Sequence, residues 1–172
     1  ILEGIEKAKG QISEDEYLRF NAEVRFIRAF VYYDMVFFFG DVPLITKTLS
    51  VSESRETSRQ SREEVMNFIL TELEEGVLPN IENTSVTESG RVNKQVVNAF
   101  LSRIYLHEKN YEKVLFYTNE VMKSGKYELH SNYDELFRPQ ADASNKEVIF
   151  ERQYSSPLYV HELNRNLSPA SS

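Results

Sequence analysis

Residues 22–45 read AEVRFIRAFVYYDMVFFFGDVPLI, an aromatic stretch that runs straight into a Gly-Asp-x-Pro turn. From Val24 to Phe39 only Arg25, Arg28 and Asp34 interrupt apolar or aromatic residues. At about 3.6 residues per turn those side chains cover nearly the whole circumference of a helix. Such a helix is expected to be buried on most sides. Gly40 ends it, and Pro43 prevents it from resuming. Crossing a bilayer takes about 18 or more apolar residues nearly free of charge, and Arg28 and Asp34 break this run too early.

Working outward, the same helix has its N-cap at Ser13. Glu16 three residues later completes a capping box, which predicts a helix from about Glu14 to Phe39. Before it, Ile1, Leu2, Ile5 and Ala8 have helical spacing, and Gly10 is a natural stop. After it, 51–60, with SESRETSRQ at its heart, reads as a polar loop that can bury little. Structure resumes at a second capping box, Ser61 with Glu64, ahead of Val65, Phe68, Ile69 and Leu73. Residues 80–90 read as another polar loop.

Arg91 then opens a helix pair. Val96, Val97, Phe100, Leu101, Ile104, Tyr105 and Leu106 line the first helix, Lys109-Asn110 sits at the turn, and Tyr111 to Met122 form the second. Ser124-Gly125-Lys126 closes the hairpin. Leu101, Ser102, Tyr105 and Tyr111 fall at positions that tetratricopeptide repeats fill with leucine, small and aromatic residues, whereas Val114 and Thr118 match only loosely. Residues 127–129 and 148–154 read as short extended segments that either pair or cross the helices. From Ser155 to Ser172 the chain is loop-rich. The fold class is mainly α, with tetratricopeptide-like hairpins and a few extended segments, in one domain over 1–172.

Composition narrows the function. The 172 residues carry a net charge of −7 with basic residues scattered among acids, which argues against a nucleic-acid surface. No cysteine is present, so disulfides, thiolate zinc sites and cysteine nucleophiles are excluded within these residues. No basic and apolar leader opens the chain, and its start inside a helical pattern reads as that of an internal fragment. His107, His130 and His161 are too dispersed to ligate a metal and read as surface histidines. Glu72, Glu74 and Glu75 read as a solvated helix face rather than an acid/base pair. Arg25 and Arg28 read as paired with acids of neighbouring helices, and Asp34 as capping or pairing with an arginine. Arg55, Arg59 and Arg62 read as solvated. Neither a Gly-x-Ser-x-Gly elbow nor a phosphate-binding glycine loop occurs, and no cofactor is expected. Tyr154, Tyr159 and His161, with Asn164 and Arg165, cluster aromatic and polar groups outside helical periodicity. They are the candidate ligand-facing loop, a plain connection being the alternative.

Four segments together carry a family resemblance. AEVRFIRAFVYYDMVFFFGDVPLI, SREEVMNFILTELEEGVLPN, GRVNKQVVNAFLSRIYLHEKNYEKVLFYTNEVMKSGKYEL and YDELFRPQADASNKEVIFERQY resemble, in order and spacing, the SusD/RagB family of nutrient-binding outer-membrane lipoproteins. The resemblance implies a helical scaffold of tetratricopeptide-like units and a lipid anchor, lying outside these residues, at the outer membrane of a Gram-negative bacterium. It implies non-enzymatic capture of a nutrient, usually a glycan, for a TonB-dependent transporter resembling SusC. Oligopeptide capture by the same family is the first alternative, and a tetratricopeptide scaffold for protein partners the second. Val24 and Val97 stand where the family favours small residues. Tryptophan, the broadest face for stacking on a sugar, is absent, so no family binding residue transfers to a numbered position.

Overall fold

The computed structural model describes residues 1–81, 90–136 and 145–151. Among them the secondary structure is helical, with one isolated bridge between Val42 and Gln60. Helix α1 spans Leu2–Ala8 and α2 spans Glu14–Phe39. Ser13 caps α2 as its sequence predicts: the Glu16 N–H donates to Ser13 Oγ at 3.3 Å, and the Ser13 N–H donates back to the Glu16 carboxylate at 3.1 Å. At the far end Gly40 takes φ +70°, a left-handed conformation that glycine adopts without a Cβ penalty.

The polar stretch after Pro43 is not simply a loop. Helix α3 forms over Val51–Glu56, because Ser50 and Glu53 make a third capping box. None of its residues is buried, so a reading based on apolar periodicity passes over it. Helix α4 follows over Arg62–Thr71 and then widens into a π-helical turn, Glu72–Val77, which continues as α5, Leu78–Ile81. Asn80 and Ile81, expected in a loop, are thus helical. The widening has a local cause in Pro79: it has no N–H to return, and its ring would crowd the Glu75 carbonyl in a regular α-helix.

The turn after α2 is fastened to the start of α4. The Gln60 N–H donates to the Val42 carbonyl at 3.0 Å, the Leu44 N–H to Gln60 Oε1 at 2.8 Å, and the Arg62 N–H to Asp41 Oδ1 at 2.8 Å. Helix α6, Lys94–His107, begins three residues after Arg91, with Asn93 accepting from the N–H groups of Gln95 and Val96. Arg91 itself grips Glu23 of α2 through two hydrogen bonds of 2.8 and 2.6 Å. Lys109 takes φ +58° at the turn, and α7 runs over Tyr111–Lys123.

One core joins these helices. Phe26, Ala29, Tyr33 and Val36 of α2 meet Val65, Ile69, Leu73 and Val77, and on another side Val97, Leu101 and Ile104 of α6. Phe100 is the centrepiece of the α2–α6 seam, with ring centroids 5.6 Å from Phe26, 5.0 Å from Phe30 and 5.3 Å from Tyr33. Of the two segments expected to be extended, the first bonds just ahead of the second, the Glu128 N–H donating to the Lys146 carbonyl at 3.3 Å, and Ile149 and Phe150 then reach the core. No strand forms there among the described residues.

The aromatic helix departs from expectation in one respect. Its inner face is buried, but Ile27 and Val31 are about half exposed, and Phe37, Phe38 and Phe39 stand 55%, 72% and 74% exposed. Apolar periodicity reports what a helix could bury, and among the described residues the neighbouring helices leave one side of it open.

Candidate functional site

A cleft of about 270 Å³ opens where the first turn of α1, the middle of α2 and residues 45–48 meet. Glu3 closes one side by accepting from the Thr48 N–H and hydroxyl, each at 3.0 Å. Those two bonds, the backbone one first, hold the Glu3 carboxyl below its ordinary range. Lys47 is turned to Glu53 of α3 at 2.9 Å. Bonded by the Ser50 N–H first and then by Lys47, Glu53 is lowered to about 2. Val24 and Arg28 form the floor. The Arg28 Nε is buried without a hydrogen-bond partner, while its Nη2 donates to Glu72 and its guanidinium lies over the Phe68 ring at 5.2 Å. Threonine hydroxyls and a guanidinium suit a small polar group. Aromatic residues do not line the cleft, so it offers no face for stacking on a sugar ring.

The acidic run 72–75 is solvated only at Glu75, which is exposed as expected; Glu72 and Glu74 are turned inward. Side chains two residues apart on a helix point to opposite sides, so Glu72 and Glu74 reach different neighbours. Glu72 is buried and accepts from Arg25 at 3.0 Å as well as from Arg28, so the two arginines are ion-paired as expected. Arg25 Nε also donates to Asn21 at 2.8 Å. Glu74 accepts from the Tyr105 and Tyr117 hydroxyls at 2.8 and 2.6 Å and from Lys113 at 3.2 Å. Burial pushes its carboxyl up, but the three donors outweigh that and hold it below the ordinary range. Burial, then the hydrogen bond to Glu74 and after it the Glu74 charge, raise both tyrosines well above theirs. The two rings stack at 5.8 Å with Lys113 over them. Both carboxylates are committed to holding helices together, which leaves neither poised for proton transfer.

Other candidates separate. Asp34 is exposed with no ion pair among the described residues, against the expectation of an arginine partner, because Arg25 and Arg28 face Glu72 instead. Arg62 pairs with Glu108 rather than standing solvated, whereas Arg55 and Arg59 are exposed as expected. His107 is on the surface, yet it bonds the Tyr33 hydroxyl and stacks on Phe37 at 5.1 Å. His130 sits elsewhere, its N–H donating to Glu147 at 2.8 Å, and among the described residues no group of metal-ligating side chains converges. Tyr154, Tyr159 and His161 lie outside the described residues, as do Asn164 and Arg165. The Phe37–Phe39 tip does not replace them as a sugar platform. Its neighbouring rings stand at 85° and 59° to one another and form no flat shelf. No helix among the described residues is long and apolar enough to cross a membrane.

Reading from sequence missed Asp41, Gln60, Glu72 and Glu74. All four act on partners remote in the chain, and only Asp41 carried a signal, being an acidic residue in a turn that leads back to a helix start.

Comparison with known proteins gives concordant results. A family model, SusD-like and described as starch-binding associating with outer membrane, matches residues 1–106. A SusD-like protein of Formosa agariphila is 25% identical over 147 residues, which is 86% of this chain and 28% of that protein. A SusD-like carbohydrate-binding protein from Bacteroides fragilis superposes with a TM-score of 0.75 at 29% identity, over 84% of this chain and 28% of its own. A surface glycan-binding protein A from Bacteroides fluxus does so with a TM-score of 0.66 at 27% identity, over 83% of this chain and 30% of its own. The chain therefore spans less than a third of the length of these relatives.

Proposed function

The chain belongs to the SusD-like family, and on that premise we propose that it serves non-enzymatic glycan capture at the bacterial outer membrane. The observation that carries this reading is the family match across 1–106, which takes in α1 to α5 and nearly all of α6. Relatives described as carbohydrate-binding and glycan-binding, both above 25% identity, support the ligand class. In this reading the described helices are scaffold. The ligand is held by hydrogen bonds and ring stacking and handed to a SusC-like TonB-dependent transporter, with a lipid anchor fixing the protein at a Gram-negative outer membrane. The ligand contacts come from loops, Tyr154, Tyr159 and His161 among the candidates, because the helical core has committed its tyrosines and carboxylates to packing. No reaction is assigned. Glu72, which is buried, and Glu74, which is half-buried, are held by arginines and by tyrosines with a lysine respectively.

Calorimetric titration of the complete gene product with a panel of glucan oligosaccharides and oligopeptides tests the proposal. Heat on oligosaccharide addition and none on peptide addition is the expected result. Binding of peptides alone overturns the glycan assignment in favour of oligopeptide capture, and an upstream gene for a TonB-dependent barrel supports the transporter partnership.

A further inference from the structure

On the floor of the cleft between α1, α2 and residues 45–48, Arg28 has donors to spare. Its side chain is only 18% exposed, and its guanidinium lies over the Phe68 ring at 5.2 Å. Among the described residues Nη2 alone of its nitrogens is bonded, to Glu72, and Nε is buried with no partner. Glu72 has little more to give. Arg25 takes its other oxygen at 3.0 Å, so one carboxylate answers two guanidinium charges. Buried donors are nearly always satisfied, and an orphan among them asks for an acceptor.

The other charges of the cleft set the sign of what it takes. Lys47 is turned to Glu53, and Glu3 has both carboxylate oxygens bonded by Thr48. Glu3 is satisfied where Arg28 is not, so the guanidinium is the group in want of a partner. Held in place by a ring and an ion pair, a guanidinium matches the paired oxygens of a carboxylate better than it matches a single hydroxyl. Leu2, Val24 and Ile45 supply apolar walls and Thr46 a hydroxyl, and a space of about 270 Å³ suits a small ligand rather than an extended chain. We infer that this cleft is a binding site for a small carboxylate, anchored on Arg28. The inference does not depend on the glycan reading, whose contacts are assigned to other residues.

Calorimetric titration of the complete gene product with glucuronate and with acetate tests it, the first standing for an acidic sugar and the second for a free organic acid. Saturable carboxylate binding is the expected result, weakened about tenfold or more by Arg28→Lys, which keeps the charge but loses the planar fork. Val24→Phe fills the cleft without touching a charge, and gives the same loss where the lysine variant does not fold. Glu3→Gln removes a like charge from the rim and should tighten binding by about twofold or more at low salt. Arg55→Lys on exposed α3 leaves the affinity unchanged. Acetate as tight as glucuronate identifies a free acid as the ligand, and tighter glucuronate an acidic sugar; both support the site. No carboxylate binding, binding that survives both Arg28→Lys and Val24→Phe, or binding weakened by Glu3→Gln overturns it. So does binding seen in the 172-residue chain and lost in the complete product, which would place another part of the polypeptide in the cleft.

Discussion

At the scale of single residues, Gly76 and Glu53 show how local geometry decides an effect that composition cannot. A Cβ added at Gly76 would lie 2.8 Å from Arg25 Nη1, the nitrogen that holds Glu72 at 3.0 Å. Alanine is normally favoured over glycine inside a helix by about 1 kcal/mol. Here that gain is offset, because the Arg25 guanidinium must leave a buried carboxylate. Gly76→Ala is therefore expected to be neutral or destabilising in the native sequence and stabilising by up to about 1 kcal/mol once Arg25→Ala has removed the obstacle. Denaturant unfolding of the four proteins in the cycle measures the sign reversal, and a stabilising Gly76→Ala in both backgrounds refutes it. Glu53 supplies a pH prediction. Its folded value, about 2, is below the ordinary carboxylate value of 4.5. A depressed carboxyl contributes stability that is present above the unfolded value and lost as pH falls through the folded one. The N-terminal turn of α3 should hold above pH 4.5 and loosen as pH approaches about 2. NMR titration of the Glu53 carboxyl checks this, with Ser50→Ala raising its midpoint by removing the capping hydroxyl.

At the scale of elements, what the sequence discloses depends on how far away the determining partner lies. The bounds of α2 and the start of α4 were readable because Ser13 with Glu16 and Ser61 with Glu64 act within one turn. Gly40 marks the other end of α2 by the same kind of local rule. Helix α3 hides an equally local capping box, but with no buried residue it lacks the apolar spacing that draws attention to a helix. Pro79 is a local mark for the π-helical turn, but what that turn docks against was unreadable for the opposite reason. Glu72 finds Arg25 and Arg28 at separations of 47 and 44 residues, and Glu74 finds Tyr105 and Tyr117 at 31 and 43. No periodicity reports such pairings. Their consequence is that one turn is pinned to α2 on one side and to the α6–α7 hairpin on the other. Tyr117→Phe, which deletes one of three donors to Glu74, should cost about 1 kcal/mol. Glu74→Gln should let both phenols ionise at lower pH, followed by ultraviolet absorbance, while burial keeps them above ordinary tyrosine. The linkage has two signs. Glu74, held low, supports the docking above its unfolded value and fails as pH drops through its folded one; the raised tyrosines support it below theirs and fail at strongly alkaline pH. Docking of the hairpin should thus be firmest between these limits.

At the scale of the whole molecule, the aromatic helix divides into a face that organises the fold and a face that the described residues leave open. Its chemistry is nearly the same on both, which is why the stretch 22–45 discloses the family and the helix but not which rings are buried. Phe100 of α6 sits among Phe26, Phe30 and Tyr33 at the junction of the two helical layers, and is 7% exposed. Truncating a ring in such a site removes its transfer energy and leaves a cavity, so Phe100→Ala should destabilise the chain by about 3–5 kcal/mol. Phe38, 72% exposed at the C-terminal end of α2, should respond differently. Phe38→Ser removes little buried area and is expected to change stability by less than about 0.5 kcal/mol in the 172-residue chain. The pair is decisive when measured together by thermal and denaturant unfolding. If Phe38→Ser costs as much as Phe100→Ala, then α2 is enclosed on all sides and the open face described for it is wrong. If Phe100→Ala is nearly neutral, the α6–α7 hairpin does not depend on α2 for its place.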